Sequence, residues 1–184
     1  MTLETLTNQT YYAHSRQVSK ICALLAERAG YSRDEIAIIE QAALYHDIGK
    51  TGIPEQILNK PGALTPEEFA VVKTHTELGY SKIMETVHIL TVAAGVCRDH
   101  HERPDGTGYS GMTGRDIHPY SQLISVVDVF DALYSKRPYK EAWDIVRIRD
   151  FFSAQSGRQF DAGLVALLFS IIHIVLPLYH SECV

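Results

Sequence analysis

Signals that start α-helices recur along this chain, whereas the alternation that marks a half-buried β-strand is missing. Ser32-Arg-Asp-Glu35 and Thr65-Pro-Glu-Glu68 both have the spacing of a capping box, in which a hydroxyl and a glutamate three residues later satisfy free N–H groups at a helix start. No run of four or more residues alternates strictly between apolar and polar types between hairpin turns. The sequence therefore predicts an all-α fold.

Apolar periodicity and turn residues predict where the helices lie. We expect helices over residues 5–29, from the first capping box to 46–47, from 65 to near Gly79, over 80–84, from 88 to 101, over 120–134 after Pro119, and over 162–176. Residues 51–64 and 102–111 are rich in glycine and proline, which predicts loops with at most a short helical turn.

Composition indicates one globular domain large enough to bury a core. Of the 184 residues, 46% are hydrophobic and 21% are charged. The net charge of −5 provides no basic surplus for polymeric nucleic acid, although a metal and a few cations could still hold a small anionic substrate. Cys22, Cys97 and Cys183 form no disulfide framework and the N-terminus has no signal-peptide pattern, so a cytoplasmic location is expected.

The C-terminal segment 164–176 is apolar on nearly every side. It contains His173 and is followed by Pro177, and it falls short of the roughly 20 residues that a bilayer requires. We therefore favour a buried core helix or the interface of a homodimer over a membrane anchor, and the sequence leaves the first two open.

Candidate metal ligands begin with the adjacent pair His46-Asp47. At the last turn of a helix both side chains can reach the same point, and a neutral imidazole with a carboxylate suits a divalent metal. A His-Asp dipeptide is weak evidence alone, because surface pairs of this kind are common. The further candidates are His75, His100, His101 and Asp128.

Asp128 is informative because it interrupts residues 123–133, which otherwise have the pattern of a buried helix. A buried carboxylate is costly unless it is paired or bound to a cation, and Asp131 lies three residues on, on the same side. A divalent metal would remove that cost. A salt bridge to Arg98 or Arg137 is the alternative, and the pattern leaves both open.

Four imidazoles and two carboxylates are more ligands than one tetrahedral zinc requires. They suit two metals about 3.5–4 Å apart with Asp47 as a bridge, between which a water loses a proton near neutral pH and attacks phosphorus. Lys50, one turn beyond His46, would neutralise charge on a phosphoryl oxygen, unless it is a solvated surface lysine.

Four motifs occur in a characteristic order, and they resemble those of the HD-GYP family. They are His46-Asp-Ile-Gly-Lys50, Lys73-Thr-His75, His100-His-Glu-Arg-Pro-Asp-Gly-Thr-Gly-Tyr109, and Asp128-Val-Phe-Asp131 followed by Arg137-Pro-Tyr-Lys140. Members of this family are metal-dependent phosphodiesterases of the HD superfamily that hydrolyse the bacterial messenger cyclic di-GMP. The likeness covers about residues 14–165, and it implies a single helical HD-GYP-like domain over 1–184 with a metal site at its centre.

The resemblance also implies roles for individual residues. Asp47 and Lys50 would be catalytic, Lys50 by contacting a phosphate or a bridging hydroxide. Substrate contacts would come from Arg137, Lys140, Tyr109 and Asp131. The metal ligands would be His46, Asp47, His75, His100, His101 and Asp128, and the cofactors two divalent ions, iron or manganese. Cyclic di-GMP would be opened to the linear dinucleotide, and the resemblance leaves open whether the reaction continues to GMP.

Three positions bear on that pattern. The signature Gly-Tyr-Pro is Gly108-Tyr109-Ser110 here, so the loop loses a fixed φ and is expected to be more mobile. Members with three metals have a glutamate where this chain has Thr10, so we expect two metals, with His14 either a weak ligand candidate or a plain polar residue. Glu102, after the histidine pair, either supports those histidines from behind or is solvated, and we favour the solvated position.

Two alternative functions remain open at the level of sequence. The Ser110 change and the apolar C-terminal segment are compatible with a non-catalytic module that binds cyclic di-GMP or docks onto a diguanylate cyclase or another signalling protein. A related HD phosphohydrolase acting on another cyclic dinucleotide is the second alternative.

Overall fold

The computed structural model describes residues 9–86, 91–136 and 141–180. Over these ranges the chain is helical and has no β-strand, which confirms the all-α prediction. The α-helices are α1 (Gln9–Arg28), α2 (Arg33–Tyr45), α3 (Glu55–Leu58), α4 (Pro66–Lys73), α5 (His75–Thr86), α6 (Thr91–Asp99), α7 (Pro119–Tyr134), α8 (Ile145–Gln155), α9 (Ala162–Ser170) and α10 (Ile172–Val175). Two 3-10 helices cover Ile48–Gly52 and Leu176–Tyr179.

Both predicted capping boxes are present. At the start of α2 the Glu35 N–H donates to the Ser32 hydroxyl at 3.3 Å, and the Glu35 carboxylate accepts from the Ser32 N–H at 2.8 Å. Thr65 and Glu68 make the same pair of bonds at the start of α4, at 3.2 and 2.7 Å. These bonds satisfy N–H groups that the helix itself leaves free, so both starts lie where the sequence predicted them.

The helix predicted from residue 65 to near Gly79 is instead two helices divided at Thr74. The Thr74 hydroxyl donates to the Val71 carbonyl oxygen at 2.7 Å, and such a side-chain bond competes with continuation of the helix. After this break α5 runs through Gly79 without interruption, so the predicted separate helix over 80–84 is also wrong. The break matters because it makes His75 the first residue of α5.

The apolar C-terminal segment is divided in the same way. The Ser170 hydroxyl donates to the Leu167 carbonyl oxygen at 2.7 Å, and the predicted single helix over 162–176 breaks at Ile171 into α9 and α10. Val165, Leu168, Ile171 and Val175 are all buried, so this segment contributes to the core of the chain. No single helix of the described ranges is long and apolar enough to cross a membrane. The segments Ala162–Ser170 and Ile172–Tyr179, which are bent relative to each other, reach the required length and apolar composition only when they are taken together.

The core joins the helices that carry the candidate ligands. α1 packs against α2 and α7, α2 packs against α6, and α5 packs against α6 and the 3-10 helix Ile48–Gly52. Val18, Ile39, Val96, Ile124 and Phe130 are among the fully buried side chains of these elements. His46, Asp47, His75 and His100 are buried among them, which places a polar cluster at the centre of an apolar bundle.

Candidate metal centre

Helix ends deliver most of the predicted ligands to one place. His46 caps the C-terminus of α2 and Asp47 follows it, His75 begins α5, and His100 and His101 come directly after α6. Asp128 lies instead in the middle of α7. The two residue pairs at helix ends and His75 therefore extend from the ends of α2, α5 and α6 at the point where these helices meet.

Three of the histidines are held in the same way by the backbone. Nδ1 of His46 donates to Ala43 O at 2.7 Å, Nδ1 of His75 to Val72 O at 2.6 Å, and Nδ1 of His100 to Cys97 O at 2.9 Å. A carbonyl oxygen can only accept, so each Nδ1 carries a proton, and Nε2 is the ring nitrogen that each histidine presents to the cluster. Histidines that bind a metal commonly have their other nitrogen fixed by such a bond.

The atoms that these bonds leave available have no partner within the described residues. Nε2 of His46, His75 and His100 and Oδ1 of Asp47 are buried and without a hydrogen bond. Asp47 Oδ1 lies 3.4 Å from Nε2 of His75 and 3.7 Å from Nε2 of His100, and Asp47 Oδ2 lies 3.4 Å from Nε2 of His46. Buried polar atoms in this state are destabilising, and a cation among them would satisfy all four.

The ligand atoms fall into two groups that share one residue. Asp47, His75, His100 and His101 form one group, and His14, His46 and Asp47 form the other; the atoms within each group lie within 4.8 Å of one another. Asp128 is on the side of the second group, with Oδ1 3.7 Å from Nε2 of His46. These residues therefore offer imidazole nitrogens and carboxylate oxygens suited to a divalent cation, and Asp47 belongs to both groups.

His14 forms hydrogen bonds to two carboxylates of α7. Its Nδ1 donates to Asp131 Oδ2 at 2.6 Å and its Nε2 to Asp128 Oδ1 at 3.0 Å. Burial lowers the pKa of His14, but these two bonds raise it above its usual value. His14 is thus the partner of Asp128. The arginine alternative finds no support at Arg98, which pairs with Asp99, while Arg137 lies outside the described residues.

Asp131 does not have the surroundings of a substrate contact. It is 2% exposed, and its oxygens accept from His14, from the Ser135 hydroxyl at 3.1 Å and from the Tyr179 hydroxyl at 2.9 Å. The role of substrate contact assigned from the motifs is therefore not supported by this geometry. Asp131 instead orients His14.

Charge at the site matches what metal ligands require. Burial alone would raise the pKa values of both aspartates. Lys50 and His46 nevertheless hold the pKa of Asp47 well below its usual range. His14 and His46 do the same to the pKa of Asp128. Burial lowers the pKa of His75, lowers that of His100 strongly, and brings that of His101 to about 4. Ionised carboxylates and neutral imidazoles are the forms that bind divalent metals.

His46 differs from the other histidines in its charge. Burial lowers its pKa, but the nearby carboxylates of Asp47 and Asp128 outweigh burial and raise it to about 10. Without a metal, His46 therefore holds a second proton at neutral pH. Lys50 adds a further positive charge, since its Nζ donates to Asp47 Oδ2 at 2.5 Å.

Glu102 is buried, and the expectation that it is solvated is wrong. It is 2% exposed, its Oε1 accepts from the Ser110 N–H at 2.7 Å, and its Oε2 accepts from the Met112 N–H at 3.0 Å. A proline at position 110 would have no N–H to donate. The serine that replaces the signature proline therefore provides a hydrogen bond that a proline could not form, and the greater mobility of the loop stays a prediction.

The same loop places Tyr109 against the histidine cluster. The Tyr109 ring centroid lies 4.7 Å from that of His101 and 6.4 Å from that of His75. Gly108 permits this path, because a Cβ there would lie 2.6 Å from Cα of Glu102. Tyr109 also meets Phe69 and Lys73, neither of which was singled out as a site residue. Arg137 and Lys140, the predicted phosphate contacts, lie outside the described residues.

Comparison with known proteins identifies the family. The family model described as HD domain matches residues 2–164. The chain belongs to the HD-domain family. This confirms the HD superfamily membership that the motifs indicated.

Curated relatives of this HD domain are phosphodiesterases of cyclic dinucleotides. The cyclic di-GMP phosphodiesterase response regulator RpfG of Xanthomonas campestris is 42% identical over 158 residues, 85% of this chain and 42% of the relative. The cyclic di-GMP phosphodiesterase of Thermotoga maritima is 35% identical over 93% of this chain and 47% of its own length. The 3'3'-cGAMP-specific phosphodiesterase 2 of Vibrio cholerae is 39% identical over 85% of this chain and 30% of its own length. The HD domain thus spans less than half of each of these relatives.

Solved structures share the fold of this HD domain. An HD-GYP protein from Bdellovibrio bacteriovorus matches with a TM-score of 0.74 and 21% identity, over 89% of this chain and 52% of that one. The HD domain of the phosphodiesterase PgpH from L. monocytogenes matches with a TM-score of 0.67 and 18% identity, over 92% and 93% of the two chains. At these identities the likeness concerns the fold.

Proposed function

We propose that this HD domain is a metal-dependent phosphodiesterase that hydrolyses cyclic di-GMP to the linear dinucleotide and onward to GMP. The observation that carries the proposal is Asp47, which belongs to both groups of candidate ligands and lies among the buried, unpaired Nε2 atoms of His46, His75 and His100. The names of the curated relatives support the reaction and the class of substrate. The name of the V. cholerae relative makes 3'3'-cGAMP the second candidate substrate.

In this proposal the residues of the site bind the metals, neutralise charge on the substrate or bind its phosphates. His75, His100, His101 and Asp47 would hold one divalent ion; Asp47, His46 and Asp128 would hold the other. Two such ions, of iron or manganese, would supply a bound water with a lowered pKa. Lys50 keeps a positive charge beside Asp47, where it neutralises charge that develops on a phosphoryl oxygen. Arg137 and Lys140 would bind the substrate phosphates, and Tyr109 would contact the substrate beside His101.

The test is a product assay without oxygen. The protein is loaded with Fe(II) or Mn(II), given cyclic di-GMP, and the products are separated by chromatography. Linear dinucleotide or GMP is expected, and it should vanish with a chelator and in the Asp47→Ala variant but persist in Asp150→Ala, an exposed aspartate on α8. Binding of cyclic di-GMP without turnover, by protein that retains two metals, would contradict the proposal and favour a non-catalytic binding module.

The remaining expectations stay predictions of their own. Light scattering tests the homodimer, and a species with the mass of one chain would count against it. Pull-down with a purified diguanylate cyclase tests the proposed signalling partner. The cytoplasmic location stays a prediction from the cysteine pattern of the sequence.

A further inference from the structure

The helix α4 presents two side chains to the same side of the metal centre. Phe69 and Lys73 are four residues apart and so lie one turn from each other on one face. Phe69 is 45% exposed, although phenylalanine is among the residues most often buried. None of the residues of α4 is buried, so the helix does not require Phe69 as a core anchor.

Phe69, Lys73 and Tyr109 form a cluster, which we call the aromatic platform. The Phe69 and Tyr109 rings meet edge to face with their centroids 6.1 Å apart. The Lys73 ammonium lies 5.5 Å from the Phe69 centroid and 5.7 Å from the Tyr109 centroid, within the range of a cation–π contact. Lys73 forms no ion pair with a carboxylate of the described ranges.

The aromatic platform is adjacent to the candidate metal ligands. The Tyr109 ring contacts the His101 ring at 4.7 Å, and it also contacts the Phe69 ring at 6.1 Å. Phe69 is therefore linked to the candidate ligand His101 through the Tyr109 ring. In a cyclic dinucleotide, each base is separated from the phosphorus only by a ribose, so a substrate with its phosphate at the metal centre could place a base here.

We infer that the aromatic platform is a nucleobase subsite that selects guanine, an inference that rests on the proposed function. The exposed Phe69 ring stacks on the purine, since every base offers a π-face to an aromatic side chain. The Lys73 ammonium donates to O6 and N7 of guanine. Adenine has an N6 donor in place of O6, and an ammonium cannot accept from it. Guanine is therefore preferred to adenine at this subsite.

Fluorescence of a Phe69→Trp variant tests the stacking without requiring turnover. Trp143 is the chain's single tryptophan and lies away from the platform against Phe151 and Arg147, so the wild type supplies the background signal. Chelator-treated variant protein should show saturable quenching by cyclic di-GMP that the wild type lacks. Equal signals from variant and wild type at saturating dinucleotide would overturn the stacking.

Kinetics of the metal-loaded protein test the contributions of the two α4 residues. Phe69→Ala should raise KM for cyclic di-GMP roughly 10- to 100-fold with a smaller change in kcat, and Phe69→Trp should restore it. Lys73→Met should reduce the preference for cyclic di-GMP over cyclic di-AMP about tenfold. Val71→Ala, which shortens another exposed apolar side chain of α4, is the matched control and should leave KM unchanged.

Failure of this inference can be distinguished from failure of the proposed function. If the wild type turns over cyclic di-GMP but Phe69→Ala has an unchanged KM, the platform is not a base subsite and the phosphodiesterase remains. If quenching occurs but no product forms with any metal, the subsite holds and the proposed reaction fails. A wild type that hydrolyses cyclic di-AMP as fast as cyclic di-GMP would overturn the role of Lys73.

Discussion

At the scale of single residues, the backbone determines which imidazole nitrogen is available. In His46, His75 and His100 the Nδ1 proton is committed to the carbonyl three residues earlier, so Nε2 points into the cluster without rearrangement. This arrangement requires a histidine at the last or first turn of a helix, where the i−3 carbonyl is within reach. The cluster is thereby organised before any metal arrives, and only a proton must leave.

The first prediction concerns that proton. The pKa of His46 is about 10, so at pH 7 the metal-free protein holds a proton there, whereas His75, His100 and His101 have lowered pKa values and are already neutral. Metal binding should release about one proton per chain, and affinity should rise about tenfold per pH unit below pH 10. Calorimetry in two buffers of different ionisation enthalpy measures the release. No release would contradict the prediction, and a second proton would have to come from a metal-bound water or from His14.

The sequence was enough to predict which residues form the candidate centre, but it did not predict the hydrogen bonds between them. His46, Asp47, His75, His100 and His101 share chemistry and motif spacing, and the structure brings them together. The bond between His14 and Asp131 joins residues 117 positions apart, which no local pattern encodes. Glu102 was misjudged for the same reason, because its two backbone donors lie in a loop whose path is set by tertiary contacts.

At the scale of elements, close packing of the 3-10 helix Ile48–Gly52 on α5 brings Asp47 to His75. Gly49 lies at this contact, where a Cβ would be 1.9 Å from the carbonyl oxygen of His75 and 2.5 Å from the Gly79 nitrogen. Gly79, which we took from sequence for a helix end, lies mid-helix because it too serves this approach; a Cβ there would be 3.3 Å from Cys97 Cβ. Glycine thus has a packing role here that composition alone cannot distinguish from a turn.

The second prediction follows from that contact. Gly49→Ala should push α5 away from Asp47, lower the free energy of unfolding by about 3 kcal/mol or more, and reduce the metal content, because the atoms it meets are backbone and cannot rotate away. Gly95→Ala in α6 is the control, since no atom lies within 4 Å of its Cβ; it should be neutral or stabilising by up to about 1 kcal/mol. Urea unfolding and metal analysis measure both. Equal stability of the two variants would refute the packing argument.

A third prediction concerns the loop that carries Tyr109. Glu102→Ala removes the acceptor for two backbone N–H groups, and it should lower the free energy of unfolding by about 1–3 kcal/mol. Ser110→Ala keeps the backbone N–H and should have little effect, which separates the backbone bond from the serine hydroxyl. Urea unfolding of the two variants decides the matter. A larger loss in Ser110→Ala than in Glu102→Ala would show that the loop is held in another way.

At the scale of the whole molecule, an apolar helical bundle surrounds a charged centre and leaves several of its buried polar atoms without hydrogen-bond partners. The capping boxes were sufficient to predict the starts of α2 and α4, because capping is local. The helix breaks at Thr74 and Ile171 were missed. The hydroxyls of Thr74 and Ser170 bond to backbone carbonyls there, but such side chains interrupt a helix in only some cases. In the interior, Nε2 of three histidines and Oδ1 of Asp47 lack partners, so the metal-free fold carries a destabilising centre.

The last prediction is that metal adds stability to the entire fold. A cation that binds only the folded state at a free concentration 100 times its Kd contributes about 2.7 kcal/mol per site. For a chain of this length that corresponds to a rise in Tm of roughly 5–10 °C per site. Differential scanning calorimetry with Mn(II) should show the rise, a chelator should reverse it, and Asp47→Ala should lack it whereas Asp150→Ala retains it. If Asp47→Ala gained as much as the wild type, the stabilising site would have to lie elsewhere in the protein, because Asp47 is the residue that both ligand groups share.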